Sequence, residues 1–362
     1  MRLIGKEEIE NIAIGAALLG TGGGGDPFIG KLMAIQAVEE YGPIKLIDVD
    51  EIEDDDLIVP SAMMGAPTVM VEKIPSGREA IASFKALEKT LGQKIKATMP
   101  IEAGGVNSLL PLALAAELGL PVVDVDGMGR AFPELQMVTF YINGVQPTPL
   151  VLSDEKGNSA LFETIDGFWT EKLARTATVA MGGSVMIAIY PMSGKEVKDY
   201  SVKGSLTLEQ EIGEIITKGR ANNTNPIPEL LKLLNGYQLF NGKVVDIERK
   251  TLGGFARGEA HIEGLNENTG EKCTLSFQNE HLMATSNGKP LCMTPDLIAV
   301  LDAETGHPIT TEGIRYGARC IIIGMPCDPM WRTPGGIELV GPRYFKYDTD
   351  YIPIEELQKA GR

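Results

Sequence analysis

The sequence predicts an α/β N-terminal domain, a layered and mostly parallel sheet covered by helices, joined to a mostly antiparallel, β-barrel-like C-terminal domain. Three observations carry this reading. Helix-like and strand-like stretches alternate through the first half of the chain. Short alternating runs separated by turn signals fill the stretch from Tyr237 to Met325. The 362 residues, 43% of them hydrophobic, are enough for two cores rather than one. The boundary is expected between residues 165 and 180, and the chain is divided here into 1–170 and 171–362.

Taken in order, Glu7 to Leu19 puts Ile9, Ile12, Ala13, Ala16 and Leu19 on one helical face. A glycine-rich break follows, then a second helical stretch from Phe28 to Tyr41. Ile44 to Val49 and Leu57 to Val59 read as strands, Arg78 to Leu91 as an amphipathic helix, and Ile95 to Met99 as a strand. Asn107 to Leu118 is an alanine- and leucine-rich helix that Gly119 ends ahead of Pro121. Leu120 to Val125 is a buried strand with an acidic end. Beyond it, Ser184 to Tyr190 is strand-like, and Leu206 to Lys218 is a helix with acidic residues early and lysine late. Turn signals at Gly253-Gly254, Asn266 to Gly270, Ser286-Asn287-Gly288 and Asp302 to Gly306 then mark antiparallel hairpins.

Charge narrows the function classes. The net charge of −16 is relieved by no block of Lys or Arg, so neither nucleic acid nor an anionic membrane surface is an expected partner. The apolar runs Ile12 to Leu19 and Leu109 to Leu118 are too short to span a bilayer. Residues Met1 to Glu8 turn acidic at once and lack the apolar core of a signal peptide. Four cysteines, Cys273, Cys292, Cys320 and Cys327, have no CxxC spacing, which suits a reducing compartment. A cytoplasmic protein with a small-molecule partner is expected, and a homo-oligomer is compatible with its apolar helices.

Three segments carry candidate chemistry. Gly20-Thr21-Gly22-Gly23-Gly24-Gly25-Asp26-Pro27 exposes main chain to close approach, either by a ligand or by another helix at a tight corner. An amphipathic helix precedes it where a dinucleotide fingerprint needs a strand, and no Gly-Lys-Ser or Gly-Lys-Thr follows. Ile101 to Ser108 joins a strand to a helix, where Asn107 or Ser108 serves as an N-cap or faces a ligand at the strand's carboxyl end. In Asp124 to Glu134, Asp124 and Asp126 share one side of a continuing strand, where two carboxylates can hold a divalent cation or split their pKa values. Arg130 and Glu134 stand four apart, as a helical ion pair would. Glu280-His281 closes a strand; no Ser-His-Asp order is visible, and Cys327 reads as a buried cysteine with an exposed thiol as the alternative.

These segments, with Asn279-Glu280, Pro295-Asp296-Leu297-Ile298, Arg315-Tyr316-Gly317 and Gly341-Pro342-Arg343, resemble the S-methyl thiohydantoin desulfurase-like family over nearly the whole chain. The family was long known only as a domain of unknown function. The run Asp124-Val-Asp-Gly-Met-Gly-Arg-Ala-Phe-Pro-Glu-Leu-Gln136 is the specific part. The resemblance implies an α/β domain followed by a barrel-like β domain. It also implies hydrolytic release of methanethiol from an S-methylated five-membered cyclic amide, with hydantoinase- or oxoprolinase-type proteins as functional associates.

For such a reaction, Asp124 or Asp126 is the expected base or metal ligand, with Arg130 pairing an acidic substituent of the substrate. Glu134 is a further acid. Gly22, Gly23, Gly24, Gly25, Asp26, Asn107 and Glu280 are the expected substrate-binding set. The alternatives are a non-catalytic binding or regulatory protein, a hydrolase or lyase acting on a sulfur-free hydantoin-like ring, and a nucleotide-utilising enzyme resting on the glycine run.

Overall fold

The computed structural model describes residues 1–65, 69, 73 and 75–360. The first sheet is assembled around parallel strands β2 (Ile44–Ile47), β3 (Leu57–Gly65), β4 (Ala97–Pro100) and β5 (Val122–Val123). Its order is β1-β2-β5-β4-β3-β9-β7-β8, where β1 is Arg2–Ile4, β7 is Leu150–Ser153, β8 is Ser159–Phe162 and β9 is Ser184–Ala188. Pairings β2–β5, β5–β4 and β4–β3 are parallel, and β1, β7, β8 and β9 pair antiparallel. Strand β9 thus returns from beyond residue 170 to fill the middle of this sheet, and β10 (Met192–Ser193) pairs antiparallel with the start of β3.

Helices α1 (Lys6–Leu19), α2 (Pro27–Tyr41), α3 (Glu79–Leu91) and α4 (Gly105–Leu118) accompany the parallel strands, and the short helices α5 (Thr139–Ile142) and α7 (Gly194–Tyr200) follow later in the chain. Strand β3 is buried over eight of its nine residues, as expected where both faces of a sheet are covered. Gly119 ends α4 in the left-handed region, as its place before Pro121 predicts. The expected single strand at 120–125 is broken: β5 stays in the first sheet, while β6 (Val125–Asp126) leaves it to pair with β11 (Val202–Lys203). Asp124, at the break, accepts the Leu206 and Thr207 N–H groups at the start of α8 (Ser205–Ala221) and holds the Thr207 hydroxyl.

The second sheet is antiparallel, in the order β16-β15-β14-β13-β12-β18-β17. Its strands are β12 (Tyr237–Leu252), β13 (Phe255–Gly264), β14 (Lys272–Gln278), β15 (Glu280–Ser286), β16 (Lys289–Met293), β17 (Leu297–Asp302) and β18 (Arg319–Met325). Bulges in β12 and β15 curve it into a half-barrel around Phe240, Leu275, Ile298 and Ile322. The turns fall at the predicted glycine and asparagine positions. Among the described residues, no helix is long and apolar enough to cross a membrane.

Candidate functional site

Strands β3 and β4 run parallel, and their carboxyl ends open onto one recess. This is where ligands collect in α/β sheets. Met63 and Met64 come from the end of β3, and Glu102 lies two residues past β4. Asn107 comes from the first turn of α4, Gly24 from the glycine run, and Met128 and Phe132 to Leu135 from the loop after β6. The half-barrel adds Asn279 and Glu280, and Arg175 reaches in from α6 (Gly167–Ala180).

The recess is dominated by two buried carboxyl groups. Glu102 is pushed up to about 7, first by burial, with the nearby Asp126 charge adding to it. A 2.6 Å hydrogen bond from Asn107 Nδ2 and the more distant Arg130 oppose that rise. Asn107 is held rigidly in turn, because its Oδ1 accepts the Met63 N–H at 2.7 Å. Glu280 is raised well above its usual range by burial, then by the charge of Glu102, and its Oε2 has no partner among the described residues. Two buried carboxyls that face one recess, both raised by burial, are groups suited to exchanging protons with a ligand there.

The glycine run makes this arrangement sterically feasible. A Cβ on Gly23 would fall inside the Glu280 carboxylate, and one on Gly22 would collide with the His281 ring. Gly22 and Gly24 adopt φ of +90° and +71°, which other residues take up only with strain. Gly24 also accepts the Val106 N–H at 2.9 Å, locking the turn onto the start of α4. The turn is a packing node, the tight corner of the two readings, and Gly24 alone of its glycines lines the recess. Gly25 packs against Gly105, while Asp26 caps α2 through the Phe28 N–H and stays outside the recess.

Two comparisons bear on this architecture. The model of the S-Me-THD-like N-terminal domain matches residues 7–164, and that of the S-Me-THD-like C-terminal domain matches residues 165–354. The chain belongs to the S-Me-THD-like family. An X-ray structure of a protein from Chromobacterium violaceum superposes with a TM-score of 0.82 at 23% identity, covering 98% of this chain and 100% of that one. That likeness extends to the fold. No curated protein matches the chain.

The S-Me-THD-like motif residues divide into a lining set and a supporting set. Asp124 is spent on the start of α8. Asp126 is fully buried and accepts the N–H groups of Ala103, Met128 and Gly129 and the Ser205 hydroxyl. Burial pushes Asp126 up to about 7 against those four donors. Neither aspartate lines the recess, and among the described residues no group of three His, Cys, Asp or Glu is placed to hold a cation.

Arg130 is also fully buried. Its five N–H donors go to Ala131 O, Pro295 O, Asp296 O, Thr21 Oγ1 and His281 O, leaving none for a substrate. The predicted helical pair with Glu134 does not form, because that segment is an irregular loop. Glu134 lines the recess instead and accepts Tyr344 Oη and Gln136 Nε2, each at 2.6 Å.

Asn107 is not the cap of α4. Gly104 occupies that position, and Ser108 Oγ accepts the Gly104 N–H while donating to the buried Glu209. Sequence reasoning passed over Glu102 as an acid and Arg175 altogether. A carboxylate directly after a parallel strand and before a Gly-Gly helix start was a signal for the first; nothing local marks the second. Arg175 Nε binds Glu171 at 2.7 Å and Nη2 binds Pro133 O at 3.1 Å, while the guanidinium stacks 4.4 Å from the Phe255 ring centroid. All four cysteines are buried, and burial pushes the Cys327 thiol up to about 12.

Proposed function

We propose that this protein hydrolyses a small five-membered cyclic amide of the S-methyl thiohydantoin class, releasing methanethiol, in the recess between its two halves. The observation that carries the reading is the buried Glu102–Glu280 pair facing one recess, with Glu280 Oε2 unpartnered. Glu102, near neutrality, accepts a proton from water as the water oxygen bonds to the ring carbon bearing sulfur. Glu280 gives its proton to the ring nitrogen.

As the tetrahedral adduct collapses, the C–S bond breaks. The hydroxyl proton returns to Glu280, and Glu102 protonates the departing methanethiolate. The ring keeps a carbonyl, and both carboxyls regain their starting states. Met63, Met64 and Met128 give the recess a polarisable wall suited to a methylthio group, which favours the sulfur-bearing ring over a sulfur-free one. Arg175, with Nη1 unspent by the hydrogen bonds described, is the cation for an acidic ring substituent.

The reading is tested by incubating purified protein with a panel of S-methyl thiohydantoins and the parent hydantoins. Mass spectrometry follows the ring product and a thiol reagent follows methanethiol. Turnover of the S-methyl compounds alone is expected. Hydrolysis of the parent rings, or binding without turnover, would refute it.

A further inference from the structure

The last stretch of the first family domain and the helix after it concentrate large apolar side chains that stay exposed among the described residues, although Lys172 lies over the Trp169 ring and Phe168 meets Tyr141 edge-on. Of the thirteen large apolar side chains left exposed among the described residues, six fall between residues 161 and 179: Leu161, Ile165, Phe168, Trp169, Leu173 and Val179. Ile165 is 82% exposed and Val179 61%. The other seven are scattered over both halves. On α6 the opposite face, Thr170, Glu171, Ala174 and Thr178, is already buried against the sheet, so this helix has two packing faces and fills one. Leu161 extends the patch onto β8, which ends the first sheet and has one pairing edge unused among the described residues.

Charge selects the occupant. Residues 161–179 hold three acidic groups (Glu163, Asp166, Glu171) and two basic ones (Lys172, Arg175), so they carry only one unit of the net charge of −16. Self-repulsion between two copies of a strongly acidic chain is least across such a nearly neutral face. A two-fold axis near Trp169 would, moreover, set Asp166 against Lys172 on both sides, as a self-complementary interface requires. We propose that this face, built from β8 and α6, is the contact by which two copies of this chain form a homodimer. The same helix carries Arg175 into the recess, so association braces one wall of the site.

The test is mass in solution, by light scattering after size exclusion and by sedimentation equilibrium over a concentration series. The natural chain is expected at twice the chain mass. The double variant Ile165→Lys/Val179→Lys, two of the most exposed positions, is expected at the single-chain mass with an unchanged far-UV circular dichroism spectrum. A natural chain that stays monomeric, leaving the face to a different protein, overturns the proposal. So does a folded double variant that keeps the doubled mass. If the double variant fails to fold, Ile165→Lys alone is scored in the same way.

Discussion

The Asn107 side-chain amide donates to Glu102 Oε1 across 2.6 Å while its own oxygen is fixed by the Met63 N–H. One residue on the first turn of α4 thus couples the end of β3 to the carboxylate that follows β4, and it steadies the charged form of Glu102. Replacing it with Leu removes the contact that opposes burial. The Asn107→Leu variant is expected to move the acidic limb of the kcat/KM profile upward by about one pH unit or more. A limb that stays in place separates Glu102 from the reaction.

Glu280→Gln keeps the volume but removes the proton donor. A loss of about 100-fold or more in kcat, with little change in KM, is expected for a general acid. Single-turnover measurement of methanethiol release checks it.

Glu102 also makes stability depend on pH. Its folded value of about 7 lies above the ordinary 4.5, so the fold binds the proton more tightly than the unfolded chain does. The associated stability is present below pH 4.5 and is lost as pH rises through about 7, by up to about 3 kcal/mol. Glu102→Gln abolishes that ionisation. Its melting temperature is expected to fall less than that of the natural chain between pH 5 and pH 8. Parallel curves would contradict the assignment.

Arg130 fastens the loop after β6 to the half-barrel, with carbonyls of Pro295, Asp296 and His281 among its acceptors. Arg130→Ala leaves these unpaired in the interior and is expected to cost about 3–5 kcal/mol of stability. Chemical denaturation reads this directly. A variant of unchanged midpoint would return Arg130 to the candidates for substrate contact.

Gly23→Ala tests the steric argument, since the added methyl must displace the Glu280 side chain. Turnover is expected to fall together with stability, the latter by about 1–3 kcal/mol. Full activity would show that the Glu280 carboxyl has room to spare.

Much of the fold could be read from local pattern. Periodicity placed α1, α2 and α4, and the turn residues placed the hairpins of the half-barrel, because these depend on neighbours in sequence. Strand β9 in the first sheet could not be read, since its partners β3 and β7 lie far from it in the chain. The site was legible as segments rather than as roles. Gly24, Asn107, Met128, Glu134 and Glu280, drawn from the segments singled out in the sequence, line one recess. The functions of Asp124, Asp126 and Arg130 depend on backbone groups that only the folded chain brings near, up to 166 residues away for Arg130 and Asp296. A carboxylate facing a ligand and one bonding to main-chain N–H groups look alike in a sequence.

The most direct measurement is methanethiol release from an S-methyl thiohydantoin by the natural chain and by Glu102→Gln, followed across pH 5 to 9. The account predicts turnover that rises through about pH 7 in the natural chain and is lost by at least about 100-fold in the variant. Equal rates in the two proteins, or a pH profile without that limb, would contradict it.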